Sequence, residues 1–133
     1  MRTYTIPPLA RTLRTVLIAD DEPSMRLLVH ATIDSDDYYV VEAADGDEAW
    51  ALIQQYKPSL VLLDIQMPGL SGLEVLEFIK ADARLKSTRV ILLTAKAHEA
   101  DIEAGLVAGA EFYLTKPFSP LDLLTRVEEA LQP

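Results

Sequence analysis

The sequence is organised as a series of short apolar runs, each followed by a segment with apolar residues at helical spacing. Residues 16–19, 60–63, 90–93 and 112–114 are apolar almost throughout, and residues 38–41 form a β-branched and aromatic run. An unbroken apolar run of this length is typical of a strand buried on both faces of a parallel sheet. Five such units predict an α/β fold, in which a doubly wound parallel sheet carries helices on both faces in three layers.

Local signals place the helices between these runs. Pro23 opens the first helix and Pro120 the last, because proline suits the first helical turn. The second helix is expected to open at Asp47 or Glu48 and to stop before Pro58. Its buried face is predicted to carry Ala49, Trp50, Ile53 and Tyr56. A fourth helix is indicated by Ile102, Leu106 and Val107.

The composition limits the class of protein. The chain has 133 residues, of which 50% are hydrophobic, so it can form one domain with a substantial core. A net charge of −9 argues against direct nucleic-acid binding, which needs a basic surface. The absence of cysteine excludes disulfides, thiolate catalysis and cysteine-ligated zinc. No apolar run approaches the roughly 18–20 residues of a membrane span, so we expect a cytoplasmic protein without membrane contact.

The first 14 residues differ from the rest of the chain because they have no clear periodicity. Pro7 and Pro8 would interrupt any helix there. We interpret residues 1–14 as an N-terminal arm or an expression remnant, and residues 15–133 as the domain.

Polar residues collect at the carboxyl ends of the predicted strands. Asp20 and Asp21 follow the first strand, Asp64 the third, Thr94 the fourth and Lys116 the fifth. In an open α/β sheet, ligands bind beyond the carboxyl ends of the strands. We therefore expect these five side chains to form one site.

This set of side chains suits phosphoryl transfer. Three clustered carboxylates repel one another, and a hard cation such as Mg²⁺ relieves the repulsion. An aspartate beside such an ion can accept a phosphoryl group, while Lys116 and Thr94 can bind phosphate oxygens. The parts of an acyl-transfer site, a histidine base or a Ser/His/Asp arrangement, are not visible.

Taken singly, each of these residues has an ordinary structural explanation. Asp20 and Asp21 would suit a helix N-cap and its first turn. Asp64 would suit a solvated strand end, Thr94 a helix cap and Lys116 the surface. The two histidines, His30 and His98, are isolated in the sequence and are expected to be solvated. The interpretation as a site depends on the whole set.

The sequence resembles the receiver domain of two-component response regulators over about residues 15–131. The resemblance is carried by several short stretches in a fixed order, namely residues 16–22, Ala44-Asp45-Gly46 with Ala49, residues 60–64, Met67-Pro68-Gly69 with Gly72, Leu93-Thr94-Ala95, Gly109-Ala110 and Lys116-Pro117-Phe118. The resemblance implies a (βα)5 flavodoxin-like fold with strand order 2-1-3-4-5. It also implies a phosphorylation-dependent signalling switch rather than an enzyme, beyond assisting its own phosphotransfer and autodephosphorylation.

The resemblance also implies a role for each site residue. Asp64 is expected to be the phosphoacceptor. Asp21 and Asp64 are expected to bind Mg²⁺ directly, Asp20 through water, and Gln66 through its backbone carbonyl. The other implied features are a switch hydroxyl at Thr94, a phosphate-binding lysine at Lys116, a cis bond between Lys116 and Pro117, and a switch aromatic at Tyr113. Gln66 and Lys96 flank the site and would either tune the lifetime of the phosphorylated state or lie at the surface.

The implied partners are a sensor histidine kinase or a histidine phosphotransfer protein. Phosphorylation would draw Thr94 and Lys116 inward, let Tyr113 turn into the vacated space, and reshape the surface of the fourth helix, fifth strand and fifth helix. The output is either a protein target or an effector domain of a longer regulator. Glu111 and Arg126 suggest a homodimer through that surface, although Phe112 stands where such regulators have an acid.

Two other functions compete with this interpretation. A Mg²⁺-dependent aspartyl-phosphate phosphatase of the haloacid dehalogenase type would carry a second aspartate two residues after the nucleophile, where this chain has Gln66. A receiver-like interaction module that is not phosphorylated would usually lack the acceptor aspartate or the lysine, and this chain has both.

Overall fold

A computed structural model describes residues 13–95 and 99–132 as five alternating strands and helices. The elements, in chain order, are β1 (Arg14–Ala19), α1 (Pro23–Ile33), β2 (Tyr38–Ala43), α2 (Gly46–Tyr56), β3 (Leu60–Asp64), α3 (Gly72–Ala81), a 3-10 turn (Ala83–Leu85), β4 (Arg89–Ala95), α4 (Glu99–Val107), β5 (Phe112–Lys116) and α5 (Pro120–Ala130).

All five strands pair in parallel, in the order β2-β1-β3-β4-β5. The predicted fold class and strand order are therefore confirmed. Chain progression reverses between β1 and β3, which lie side by side at the centre, with Leu17 paired to Val61. This reversal opens a crevice at the carboxyl ends of the central strands, where α/β proteins bind their ligands.

The apolar runs are unbroken because both faces of the sheet are covered. Alternate residues of β3 point to opposite sides, so that Val61 and Leu63 pack in one core and Leu60 and Leu62 in the other. The first core is closed by residues of α2 and α3, and the second by residues of α1 and α5. A rigid, fully buried β3 thus presents Asp64 at its end.

Side-chain caps fix where the helices begin. Asp45 accepts the Glu48 N–H at 2.7 Å, so α2 begins at Gly46, slightly earlier than predicted. Ser71 and Glu74 form a capping box at the start of α3. Pro23 and Pro120 begin α1 and α5 as predicted.

The start of β1 also lies one residue before the predicted domain boundary. Arg14 belongs to the strand, pairs with Tyr38, and donates a side-chain hydrogen bond to the Leu131 carbonyl. Residues 1–12, which make up most of the expected arm, lie outside the described residues.

The predicted buried faces are only partly correct. Ala49 and Ile53 are fully buried, and Trp50 is half-buried against Phe78. Tyr56 is 37% exposed, because it ends α2 and contacts Tyr39 of the outermost strand instead of the core.

The fourth helix exists as predicted, but its larger apolar residues do not enter the core. Leu106 and Val107 are exposed, and Gly105 is the buried residue of the helix. A Cβ atom at Gly105 would lie 2.1 Å from Leu92 Cδ1, so the helix backbone packs directly on β4. None of the described helices has the length and apolar character that a membrane span would need.

We expect the replacement Leu62→Ala to reduce the free energy of unfolding by about 2–5 kcal/mol. Leu62 is fully buried in β3, so truncation leaves a cavity in a strand that cannot collapse around it. Leu121→Ala, at a side chain that is 71% exposed, should change stability by less than about 0.5 kcal/mol. Urea denaturation of both variants measures the difference, and equal losses would contradict a core centred on β3.

Candidate functional site

Two acidic residues follow β1 at the crevice. Asp20 is fully buried and both of its carboxylate oxygens are bonded. Oδ1 accepts the Glu22 N–H at 2.9 Å, and Oδ2 accepts a hydrogen bond from Lys116 Nζ at 2.8 Å. Asp21 is exposed beside it, and within the described part of the chain its carboxylate forms no hydrogen bond or ion pair.

The third acidic residue, Asp64, ends the central strand β3 and is only 6% exposed. Its carboxylate lies 3.5 Å from Lys116 Nζ. Asp20, Asp21 and Asp64 each offer a carboxylate oxygen within 4.8 Å of the others. The structure thus brings together the three carboxylates that the sequence places at the ends of two strands, β1 and β3.

Burial and neighbouring charges shift the pKa values of Asp64 and Lys116. Burial, followed by the negative charge of Asp20, raises the pKa of Asp64 to about 7, although Lys116 opposes the shift. Burial alone would lower the pKa of Lys116. The hydrogen bond to Asp20 and the charge of Asp64 outweigh it and raise that pKa. Lys116 is therefore a permanent cation in the site.

A pocket of about 240 Å³ opens beside these groups and is lined by Asp21, Glu22, Asp64, Gln66, Thr94, Ala95 and Lys116. Thr94 is buried at the end of β4, and its hydroxyl donates to the Ala95 carbonyl at 3.3 Å. The Lys116–Pro117 bond is cis, as expected. Five of the predicted site residues therefore line the pocket with the small Ala95, namely Asp21, Asp64, Gln66, Thr94 and Lys116. The sixth, Asp20, is bonded to Lys116.

The loop between β3 and α3 is held by close backbone contacts. The Gly72 N–H donates to the Ile65 carbonyl at 2.7 Å, and the Gly46 N–H donates to the Pro68 carbonyl at 3.1 Å. A Cβ atom at Gly46 would lie 1.8 Å from the Leu70 carbonyl oxygen, so a side chain there is excluded. The start of α2 thereby supports the loop that carries Gln66.

The side chains fit a hard divalent cation. Carboxylate oxygens are the ligands that Mg²⁺ prefers, and a Mg²⁺ site usually leaves positions for water and phosphate. Asp21 and Asp64 face the pocket, whereas both oxygens of Asp20 are already engaged. This arrangement suits two direct carboxylate ligands and one that acts less directly.

Tyr113 is placed apart from this pocket. Its side chain is 41% exposed and lines a second concavity with Leu106 and Arg126. Arg126 lies over the Phe112 ring, 5.2 Å from its centre. Tyr113 therefore lies outside the pocket, on the surface of α4, β5 and α5 that its predicted movement would reshape.

Glu111 occupies a structural position at the opposite, amino end of the sheet. Its carboxylate accepts the Val90 N–H at 2.7 Å and lies 3.2 Å from Lys80 Nζ and 3.8 Å from Arg89 NH1. The homodimer suggested by Glu111 and Arg126 stays a prediction.

Sequence reasoning missed the polar contacts behind the acidic residues. Arg26 NH1 donates to the Asp20 backbone carbonyl at 2.7 Å, and Glu22 Oε1 lies 3.7 Å from Lys116 Nζ. His30 is partly exposed, as expected, but it is not isolated, because its Nδ1 lies 2.6 Å from Glu42 Oε2. These contacts depend on how α1 packs against the ends of the strands, so they leave no pattern in the sequence. Lys96 and His98 lie outside the described residues.

The sequence of this chain matches a known protein family. The family model described as response regulator receiver domain matches residues 16–128. The chain belongs to the family of response regulator receiver domains.

Individual relatives show how much of a longer protein the chain covers. It is 39% identical over 119 residues to the phosphate regulon transcriptional regulatory protein PhoB of Pseudomonas aeruginosa, covering 90% of this chain and 52% of that protein. The chain spans about half the length of the curated relatives it matches.

Solved structures of similar chains share the fold. The Vibrio cholerae chemotaxis protein CheY4 superposes with a TM-score of 0.82 at 32% identity, covering 90% of this chain and 100% of that one. The response regulator domain of Thermotoga maritima CheB gives a TM-score of 0.79 at 33% identity, covering 92% and 100%.

Replacing Asp64 with asparagine should stabilise the metal-free protein at alkaline pH. The pKa of Asp64 rises from 3.8 to about 7 on folding, so the folded protein binds this proton more tightly. Wild-type stability should therefore fall between about pH 4 and pH 7 as Asp64 ionises. At pH 8, Asp64→Asn should exceed the wild type by more than about 1.4 kcal/mol, the equivalent of one pKa unit.

Urea denaturation in EDTA at pH 5 and pH 8 measures this difference. Glu77→Gln, at an exposed position of α3, is the control for removal of one negative charge. The gain of Asp64→Asn should be larger at pH 8 than at pH 5. An equal gain in stability at both pH values, or an equal gain in the control, would show that ionised Asp64 does not destabilise the folded protein.

Proposed function

We propose that this chain is a phosphorylation-dependent switch of a two-component system and that Asp64 accepts the phosphoryl group. The observation that carries the proposal is the buried carboxylate of Asp64 at the end of β3, flanked by Lys116 and two further carboxylates. The donor is a phosphohistidine of a sensor histidine kinase or of a histidine phosphotransfer protein.

In the reaction, one Asp64 carboxylate oxygen forms a bond to phosphorus while the bond between phosphorus and the imidazole nitrogen breaks. The electron pair of the broken bond stays on the imidazole, and Asp64 becomes an acyl phosphate. Lys116 binds a phosphate oxygen as a point charge. Mg²⁺ held by Asp21, Asp64 and the Gln66 carbonyl, with Asp20 acting through water, would offset the negative charge of the transferring group.

The burial of each residue supports these roles. Asp21 is exposed to the pocket and lacks a competing contact among the described residues, as a direct ligand requires. Both oxygens of Asp20 are engaged, which favours an indirect role. Ala95 is small and lines the pocket, so it leaves the donor a path to Asp64.

The switch would begin at Thr94. Its hydroxyl makes one long hydrogen bond to the Ala95 carbonyl, which a phosphate oxygen can replace. A phosphoryl group adds about −1.5 to −2 charges, and this charge draws Thr94 and Lys116 towards it. Tyr113, now exposed, would turn into the space that Thr94 leaves. The surface of α4, β5 and α5 then changes shape.

The altered surface would act on a protein target or on an effector domain of a longer regulator. Curated relatives include transcriptional regulators of about twice the length. The chain itself has a net charge of −9, which opposes binding to the phosphate backbone of nucleic acid. Contact with another protein is therefore the more suitable output. We place this signalling in the cytoplasm, with pairing of two chains through α4, β5 and α5 as an additional means of output.

Incubation with Mg²⁺ and acetyl phosphate should add one phosphoryl group to the protein. Intact-mass measurement should show a single adduct in the wild type, because one buried aspartate faces the pocket. Parallel samples with EDTA and with Asp64→Asn should show none.

The control is Asp82→Asn, which removes a carboxylate that follows the carboxyl end of α3 and does not line the pocket, and it should leave the adduct unchanged. An adduct that persists in Asp64→Asn would move the acceptor elsewhere. No adduct in any sample, together with no binding of beryllofluoride, would favour the interaction module that is not phosphorylated.

The replacement Thr94→Ala should separate phosphorylation from the surface change. Without the hydroxyl, the phosphoryl group has nothing to draw inward at the end of β4, so Tyr113 should stay exposed. NMR signals of the Tyr113 ring, with and without beryllofluoride, measure its movement. Thr125→Ala, on the exposed side of α5, is the matched control. Equal Tyr113 shifts in Thr94→Ala and wild type would rule out this coupling.

A further inference from the structure

The mostly buried side chain of Arg26 on α1 connects the loop that carries Asp20 and Asp21 to β2, which is an edge strand of the sheet. Arg26 NH1 donates to the Asp20 backbone carbonyl at 2.7 Å, and Arg26 Nε lies 3.3 Å from Glu42 Oε1 on β2. His30, one turn further along α1, lies 2.6 Å from the other oxygen of Glu42. Glu42 therefore contacts both Arg26 and His30, and its contact with Arg26 helps to fix the guanidinium.

The Asp20 carbonyl is a critical point of attachment because Asp20 and Asp21 share the peptide unit to which it belongs. The orientation of that unit sets the direction in which the Asp21 side chain leaves the loop. Asp20 is otherwise fixed by its own N–H, which donates to Ala43 at 3.1 Å, and by its carboxylate contacts. The Asp21 side chain has no partner of its own among the described residues.

We propose that Arg26 is a positioning residue for the metal site, fixing the peptide after Asp20 so that Asp21 points towards Asp64. The guanidinium suits this role because it is planar and can donate in two fixed directions at once. Glu42 neutralises it, so that it supports the loop without acting as a free cation. This inference rests on the proposed function, because it assumes that the carboxylates bind Mg²⁺.

If Arg26 acted on the site only through its positive charge, the opposite effect on Mg²⁺ binding would be expected. Arg26 carries a positive charge close to the cation site, so its removal should strengthen Mg²⁺ binding if only long-range electrostatics matter. If Arg26 positions the loop, its removal should weaken Mg²⁺ binding. Loss of a residue that orients a metal ligand typically lowers metal affinity about 10–100-fold. The sign of the change therefore separates the two explanations.

Isothermal titration calorimetry with Mg²⁺ tests the proposal on the full chain. We expect Arg26→Gln to raise the dissociation constant at least about 10-fold. Arg26→Lys should give a smaller loss, because the ammonium can reach the Asp20 carbonyl but lacks the second fixed N–H. Arg84→Gln, which removes an exposed arginine paired with Asp82, is the matched control and should bind as the wild type does.

A kinetic readout separates positioning from loss of structure. With acetyl phosphate, Arg26→Gln should need more Mg²⁺ for half-maximal phosphorylation, yet approach the wild-type rate at saturating Mg²⁺. Unchanged or tighter Mg²⁺ binding by Arg26→Gln would overturn the proposal, as would unchanged binding by Arg26→Lys if the glutamine variant fails to fold. A wild type that binds no Mg²⁺ and takes no phosphoryl group would overturn the proposed function, and this inference with it.

Discussion

The buried ion pair between Lys116 and Asp20 determines the shape of the site. Lys116 ends β5 and Asp20 follows β1, while β3 and β4 lie between those strands in the sheet. The 2.8 Å contact closes a ring of side chains around the ends of the central strands, where Asp64 and Thr94 stand. Crowded carboxylates are unfavourable when they lose water. Lys116 offsets part of this cost and leaves an oxygen-rich surface that faces the pocket.

The fold and the grouping of the site were predictable because both follow from local pattern and topology. Unbroken apolar runs such as residues 60–63 require cover on both faces of a sheet. Once the strands are parallel, their carboxyl ends must share one edge, and residues as distant as Asp20 and Lys116 then meet. The strand order depended on family resemblance, since periodicity alone does not rank the strands.

The remaining features depend on tertiary contacts that no local pattern encodes. Tyr56 has the spacing of a core residue, but it lies where α2 passes the outermost strand. The α4 helix packs through Gly105, so Leu106 and Val107 are exposed against the usual rule, while Ile102 is half-buried. The contact of Arg26 with a backbone carbonyl is similarly hidden, because any long basic side chain on α1 would look the same in the sequence.

The network around Glu111 makes the side-chain contacts at the two ends of β4 unequal. At the amino end, one carboxylate ties the backbone of Val90 to side chains of α3 and β4, and Thr88 donates to the Pro58 carbonyl at 2.7 Å. At the carboxyl end, Thr94 makes a single long hydrogen bond. The amino end of β4 is therefore fastened by side chains as well as by the sheet, whereas the carboxyl end is held chiefly by its backbone pairing with β3 and β5. Replacing the single contact of the Thr94 hydroxyl thus disturbs fewer neighbours than replacing any contact of the Glu111 carboxylate would.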